Sequence, residues 1–386
     1  LKNFEIRIEK TAFGGDGVGS VDGKTCFVEG ALAGETVIAR ILQDKRNFIR
    51  ARTVKILEPS PFRVAPLCPY LEACGGCQYQ HVSYHEELRI KESQVREVMD
   101  RALGLGGAVE PIRYADKDYR YRNSVTLHRS ARGGAPQPLG FIGRDNKTVV
   151  AVKNCLLADE RLSPAFGTKF RLKKGTGRVT FRLSEKGEII SGETELFSRI
   201  RVGRETLLAH SRGFFQNNLA VTALLVEQVR AWVGEIRPDI FFDLYAGVGT
   251  FSLLAAKDVP RAVCVEDAIE SLEALRMNAA ERGRTAFRII PGRAETVLPS
   301  VFPDESVRSA VVCLDPPRHG IEPKLAEHLS RTPAAAVLYV SCDPVTLARD
   351  LKLILKEGHY RAEKIVPFDM FPRTRHIETA VLLKAV

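Results

Sequence analysis

The sequence predicts an α/β protein whose C-terminal part is a doubly wound parallel sheet, preceded by a small β-barrel and a β-rich middle segment. Three observations carry this. From about residue 206 onward, short apolar runs alternate with helix-length segments. Before that, strand-like runs are separated by Gly- and Pro-rich breaks. A chain of 386 residues, 45% hydrophobic and 27% charged, can bury two or three separate cores. The expected division is 1–58, 59–205 and 206–386.

The barrel comes first. Phe4, Ile6 and Ile8 alternate with polar residues, as on a half-buried strand. Gly14, Gly15, Asp16 and Gly17 then form a turn, and further strands are expected over 24–28, 36–42 and 49–57. Five short strands fit an OB-like barrel, with Lys45, Arg46, Arg50, Arg52 and Lys55 giving its last hairpin a basic face. Pro59, Pro61 and Pro66 read as a linker. A helix is expected over 84–103, with Leu88, Val95, Met99 and Ala102 on one face. It has no apolar neighbour in sequence, so it is expected to pack on another domain. Runs at 124–128, 178–183 and 188–191 make the middle segment β-rich.

Beyond 206, strands over 240–244, 262–266, 287–290, 310–314 and 336–340 alternate with helices such as 219–233, 252–256 and 268–282. Two further strands, 360–368 and 377–384, have only a loop between them. The sheet is therefore expected to finish with an antiparallel strand.

The formal net charge is +10, with an isoelectric point near 9.2, which favours a polyanion such as nucleic acid as partner. No apolar run is long enough to span a bilayer. The first residues, Leu1 to Phe4, lead into no apolar stretch, so no signal peptide is expected, and the missing Met suggests that a few residues precede them. The expectation is a soluble, cytoplasmic monomer. Eight cysteines in such a chain point to metal or catalytic roles where they cluster.

The first strand of the C-terminal domain ends in Asp243, followed by Gly247 and Gly249. The glycines let the chain turn tightly around a ligand. An acid before them, and no third Gly, departs from the dinucleotide pattern and suits a nucleoside with an amino-acid tail. Glu266 closes the second strand, where an acid accepts hydrogen bonds from ribose hydroxyls. Asp315, Pro316, Pro317 and Arg318 stiffen the loop after the fourth.

Cys342 follows the fifth strand, where ligands bind in open α/β sheets, and a helix begins just beyond it. A helix N-terminus is expected to lower its pKa. Cys264 and Cys313 lie inside strand runs and read as buried hydrophobes. A thiolate in the place of Cys342 suits addition to carbon 6 of a pyrimidine, which makes carbon 5 nucleophilic enough to take a methyl group. A base must then remove the carbon-5 proton. Glu378, opening the last strand, is the candidate, and His376 is its competitor.

With Phe214-Phe215-Gln216-Asn217-Asn218 and Asp369-Met370-Phe371-Pro372 added, these segments resemble, in order and spacing, the RNA 5-methyluridine methyltransferases over nearly the whole chain. The resemblance implies a Rossmann-like class I methyltransferase domain with an N-terminal TRAM barrel. It implies S-adenosylmethionine as cofactor, contacted by Gln216, Tyr245, Glu266 and Asp315, with Cys342 as nucleophile and Glu378 as base. Ala246 stands where many members have Cys.

Cys68, Cys74 and Cys77, with Gly75 and Gly76 between the last two, bring three thiols into ten residues, and Cys155 is the expected fourth. Four thiolates suit zinc or an iron–sulfur cluster. The resemblance favours [4Fe–4S], in a structural or RNA-positioning role. The central domain is thus expected to carry a metal cluster. Tyr119, Arg120, Tyr121 and Arg122 interleave aromatics with arginines, a pattern that serves RNA contact. The target uridine must leave its stack to meet Cys342.

The barrel and cysteine segment favour 23S rRNA as substrate, with tRNA as the alternative. A 5-methylcytosine enzyme is disfavoured because Arg318, not a second Cys, follows the prolines. An amino-group methyltransferase has no use for Cys342. A non-enzymatic RNA-binding metal module has no need of Asp243, Glu266 and Cys342 together at strand ends.

Overall fold

A computed structural model of the chain describes residues 2–129, 139–166, 177–192, 195–302 and 307–386. It divides into two compact units. The first comprises 1–94, 141–150 and 371–376, and the second 95–140, 151–370 and 377–386. The span 59–205 is thus shared between them. No helix among the described residues is long and apolar enough to cross a membrane.

In the first unit, β1 (Asn3–Arg7), β2 (Lys10–Thr11), β3 (Gly17–Val21), β4 (Lys24–Glu29), β5 (Thr36–Asp44) and β6 (Phe48–Glu58) form one sheet in the order β1-β5-β6-β4-β3-β2. The extra strand beyond the five expected is the two-residue β2, paired with β3. Ile6, Ile8, Cys26, Val28, Val37, Ala39 and Ile49 form the apolar interior, as their alternation requires. The first half of α1 (Tyr84–Leu103) also lies here. Buried Glu87 accepts from Lys91 Nζ at 2.8 Å and from the backbone N–H of Arg373 at 2.7 Å, which fastens segment 371–376 within this unit.

A short antiparallel pair, Phe141–Ile142 with Val149–Val150, also belongs to the first unit, and the second unit carries the other strands. β7 (Ser124–His128), β8 (Arg178–Leu183) and β9 (Ile189–Ser191) make a three-stranded antiparallel sheet. β10 (Phe197–Val202) and β11 (Glu205–His210) form a hairpin. Then α2 (Leu219–Ile236), β12 (Ile240–Leu244), β13 (Arg261–Glu266), α3 (Ile269–Glu281), β14 (Phe287–Pro291), α4 (Ala294–Val301) and β15 (Ala310–Leu314) come in turn. α5 (Pro323–Arg331), β16 (Ala336–Ser341), α6 (Pro344–Ile354), β17 (Tyr360–Phe368) and β18 (Glu378–Ala385) complete the chain. These strands order as β14-β13-β12-β15-β16-β18-β17. The first five run parallel, and β18 is antiparallel to both neighbours, the finish expected from two strands joined by a loop. β12, β15 and β16 are buried along their whole length, so they read as continuous apolar runs rather than alternating ones. Val95 and Met99, from the second half of α1, are buried in this unit's core.

Candidate active site

Strand register gathers the site. Ser341, the last residue of β16, pairs with Thr379 in antiparallel β18. Cys342 and Glu378 are the next residues beyond that last pair, and the Glu378 charge acts on the Cys342 thiol. On the other side of β16, parallel β15 pairs Leu314 with Tyr339, which brings Asp315 to the same sheet edge. β12 pairs Asp243 with Cys313 on β15 and with Cys264 on β13, and β13 ends in Glu266. Four adjacent strand ends thus carry Glu266, Asp243, Asp315 and Cys342, and a fifth carries Glu378.

The electrostatics arise from this crowding. Asp243 is 1% exposed, and burial pushes its carboxyl up to about 6. Its Oδ2 accepts from the Ser252 N–H at 2.9 Å, and its Oδ1 is buried without a partner. Burial, then the charges of Asp243 and Glu266, push Asp315 up to about 7. Glu266 is raised too, mainly by burial, although Gly247, Asp267 and Ala268 donate backbone N–H groups to it at 2.7, 3.0 and 2.8 Å. Three mutually repelling carboxylates suit a ligand that brings positive charge.

Between them runs the glycine loop. Gly247 has φ +56° and Gly249 φ +89°. A Cβ on Gly249 would stand 2.6 Å from Leu253 and 2.7 Å from Leu275, so both backbone and space demand glycine. Tyr245, itself at φ +66°, donates its hydroxyl to Glu295 at 2.5 Å. Gln216 is buried two residues before Asn218, the N-cap of α2.

Cys342 corrects one expectation. Its thiol is not lowered but pushed up to about 12, first by burial and then by Glu378. The N-terminus of α6 does not offset this, because Asp343 caps it and takes the Val345 and Thr346 N–H groups at 2.9 and 3.1 Å. Glu378 is 3% exposed, and burial together with Asp315 holds its carboxyl well above the ordinary range. His376 lies in the first unit, its ring edge-on to Phe371 at 6.0 Å.

Two residues were given no role from sequence. Arg318 exerts a charge effect on both Cys342 and Glu378, favouring the ionised form of each. Its loop is pinned to α6, where Asp350 accepts from Ile321 N–H at 3.0 Å and Tyr339 hydroxyl at 2.6 Å, and Arg349 donates to the His319 carbonyl at 2.8 Å. Its position directly after Asp-Pro-Pro was the available signal. Asn278 on α3 is fully buried, bonds both backbone groups of Leu208 and donates to the Val248 carbonyl at 3.0 Å, which steadies the glycine loop. A polar residue amid the apolar face of α3 carried no signal of that job.

None of the other expected groups is carried by these strand ends. Cys68, Cys74 and Cys77 fall in the first unit and Cys155 in the second, and no disulfide joins them. Among the described residues, no three His, Cys, Asp or Glu side chains converge to hold a metal ion. Arg120 donates to the carbonyls of Cys155 and Ala158 at 3.0 and 3.3 Å, and Tyr121 is 8% exposed, so both serve internal contacts. Arg122 stands over the Tyr121 ring at 5.8 Å.

Comparison with known proteins agrees with this geometry. Residues 2–54 match the TRAM domain, and residues 184–386 match the tRNA (uracil-5-)-methyltransferase family. A protein described as an uncharacterized RNA methyltransferase from Clostridium tetani is 28% identical over 99% of this chain and 96% of its own length. Another from Caldanaerobacter subterraneus is 29% identical over 99% and 98%. The crystal structure of Pyrococcus abyssi tRNA (uracil-54, C5)-methyltransferase in complex with S-adenosyl-L-homocysteine is 24% identical, covers 98% of this chain and 99% of its own, and superposes with a TM-score of 0.72, a likeness of fold. With more than half of its length matched by the family, the chain belongs to the tRNA (uracil-5-)-methyltransferase family and is an RNA methyltransferase.

Proposed function

We propose that the chain methylates carbon 5 of a uridine in structured RNA, with Cys342 as nucleophile and Glu378 as base. The observation that supports this reading is the β16–β18 register, whose last pair, Ser341 and Thr379, is followed by Cys342 on one side and preceded by Glu378 on the other, with Asp315 close enough for its charge to act on both. S-adenosylmethionine, when bound, supplies a methyl group on a positively charged sulfur. The carboxylates of Asp243, Glu266 and Asp315, with the unpartnered Asp243 Oδ1, fit its cationic and polar groups. Gln216 and Tyr245 complete the proposed contacts, and Gly247 and Gly249 let the backbone approach.

Cys342 Sγ adds to carbon 6 of an extruded uracil, and carbon 5 becomes nucleophilic. Once carbon 5 is methylated, Glu378 removes its remaining proton, and the carbon–sulfur bond breaks to release Cys342. Arg318 favours the thiolate and the carboxylate that these steps need. Burial disfavours the charged form of both groups, and a positive charge nearby favours it.

The RNA we propose is 23S rRNA, on the strength of the barrel and the cysteine segment, and the enzyme then works in the cytoplasm. The competing substrate is tRNA, on which the Pyrococcus abyssi neighbour acts at uracil 54. Cys68, Cys74, Cys77 and Cys155 as ligands of a [4Fe–4S] cluster, or of zinc, keep the support of their spacing alone, and no step runs through them. Incubation of the protein with unmodified total RNA and methyl-labelled cofactor, followed by mapping of the labelled nucleotide, tests the proposal. Label on 5-methyluridine is expected; label on cytidine or an exocyclic amine overturns it.

A further inference from the structure

A second cleft, of about 440 Å³, opens in the second unit, and none of its described lining residues lies at the five strand ends. Arg178, Thr180 and Arg182 alternate along β8 and so share one face of the strand. Together with Thr126, Ser211 and Arg212 they line the cleft, and no described lining residue is Asp or Glu. Arg182 is the unusual one. It is 3% exposed and donates to the carbonyls of His210 and Gly213 at 3.0 and 2.9 Å. Its Nε has no acceptor, and no carboxylate pairs with it among the described residues. Burial pulls its pKa down to about 10. Ser211 is also buried, and its hydroxyl has no partner.

A buried cation without a counter-ion is costly, and two carbonyl dipoles do not supply a negative charge. An anion seated in the cleft does. Guanidinium groups match phosphate by paired hydrogen bonds, and Arg178 and Arg212 add two more at the same place. The cleft is also contiguous in sequence with the cofactor site, because Ser211 and Arg212 lie just before Gln216.

We propose that this cleft is a phosphate site that seats a backbone phosphodiester of the substrate RNA, with Arg182 as its buried charge and Arg178 and Arg212 as its outer donors. The proposal rests on the reading of the chain as an enzyme acting on RNA. It adds a fixed anchor for the strand, separate from the groups that perform the chemistry.

The test uses the full chain and the RNA fragment found to be methylated. Thr180→Glu places a carboxylate beside Arg182 on the same face of the strand without removing any arginine. RNA affinity is expected to fall tenfold or more, and the slope of log affinity against log salt to shrink by about one. Cofactor binding stays unchanged, and the thermal midpoint is held or raised because the buried charge gains a partner. The double variant Arg178→Gln/Arg212→Gln, which leaves Arg182 in place, is expected to weaken RNA binding and to lower the slope by one to two. It carries the test if Thr180→Glu does not fold. Unchanged affinity and slope in the folded variants overturn the proposal. Inorganic phosphate is the probe for a free anion. If it raises the midpoint of the native chain while the variants bind RNA with the native slope, the cleft holds free phosphate and the RNA assignment fails. A native chain that methylates no RNA defeats the functional reading instead, and the phosphate arm still reports on the cleft.

Discussion

Two regions of this chain collect chemistry-bearing side chains, and they are held in different ways. The candidate active site is set by a sheet: neighbouring strands in fixed register carry Glu266, Asp243, Asp315, Cys342 and Glu378 to one edge. The cysteine segment of the first unit is set by turns. Its backbone is tied at several points, Gly75 N–H to the Ile142 carbonyl at 3.0 Å and Cys68 N–H to Gln80 Oε1 at 3.1 Å, but among the described residues no three of its side chains gather to hold a metal. A sheet edge fixes side-chain position to within a residue, because slipping the register by one reverses every face. A turn fixes the backbone and sets side-chain position less tightly. Chemistry that needs two groups face to face is therefore expected at the first region, and ligand-induced assembly at the second.

The strongest way to break that contrast is to remove the nucleophile. Cys342→Ala is expected to abolish methyl transfer, a loss of at least about 10³-fold, with cofactor binding unchanged. Retained transfer would leave the strand-edge thiol without a role. Glu378→Gln is expected to cost roughly 10²–10⁴-fold in turnover, the range for a general base. It also removes the carboxylate that, after burial, most raises the Cys342 thiol. Alkylation of Cys342 should therefore quicken in this variant while turnover falls, and a denaturation-resistant protein–RNA adduct should accumulate. Slower alkylation would contradict that charge effect.

The sheet-built region was the legible one. Buried strands show as apolar runs, and the residues just past the end of each run sit at the sheet edge. Asp243, Glu266, Asp315 and Cys342 were therefore readable from the sequence as residues at strand ends, and the loop-joined last pair was readable as an antiparallel finish. The sign of the Cys342 shift was not, because it depends on the depth of burial and on where Asp343 sends its side chain. The buried, unpaired state of Arg182 was equally hidden, since alternation along 178–183 marks which residues share a face but not which face lacks a counter-charge. In the interleaved run at 119–122, aromatic and basic residues look the same whether they meet RNA or their own backbone, and Arg120 meets carbonyls.

A smaller effect sharpens what holds the strand-edge site open. Asp243 has a folded pKa of about 6 against an ordinary value of 3.8. The folded state therefore binds the proton more tightly. The stability linked to that proton is present below about 4 and lost as pH rises through about 6. At neutral pH the ionised carboxylate costs on the order of 3 kcal/mol. Asp243→Asn keeps an oxygen for the Ser252 N–H and removes the charge. The variant is expected to be more stable than the native chain at pH 7, to lose that advantage near pH 4, and to bind S-adenosylmethionine at least about tenfold more weakly. Thermal melts across pH 4–8 with calorimetric titration check all three. A variant less stable at pH 7 would mean that the orphan oxygen already has a partner.

The smallest effect on turnover is expected at the turn-built region, and there the contrast can fail. If its thiols assemble only around a metal, Cys68→Ser, Cys74→Ser and Cys77→Ser together should remove iron and sulfide from anaerobically purified protein. Methyl transfer to a saturating RNA fragment should stay within about tenfold, because two-electron transfer at Cys342 needs no redox centre. The Cys342 alkylation rate should not move at all. A loss of transfer as deep as that of Cys342→Ala, with cofactor binding intact, would show that the turns impose geometry on the strand edge. The two regions would then be one device, and register alone would no longer account for the site.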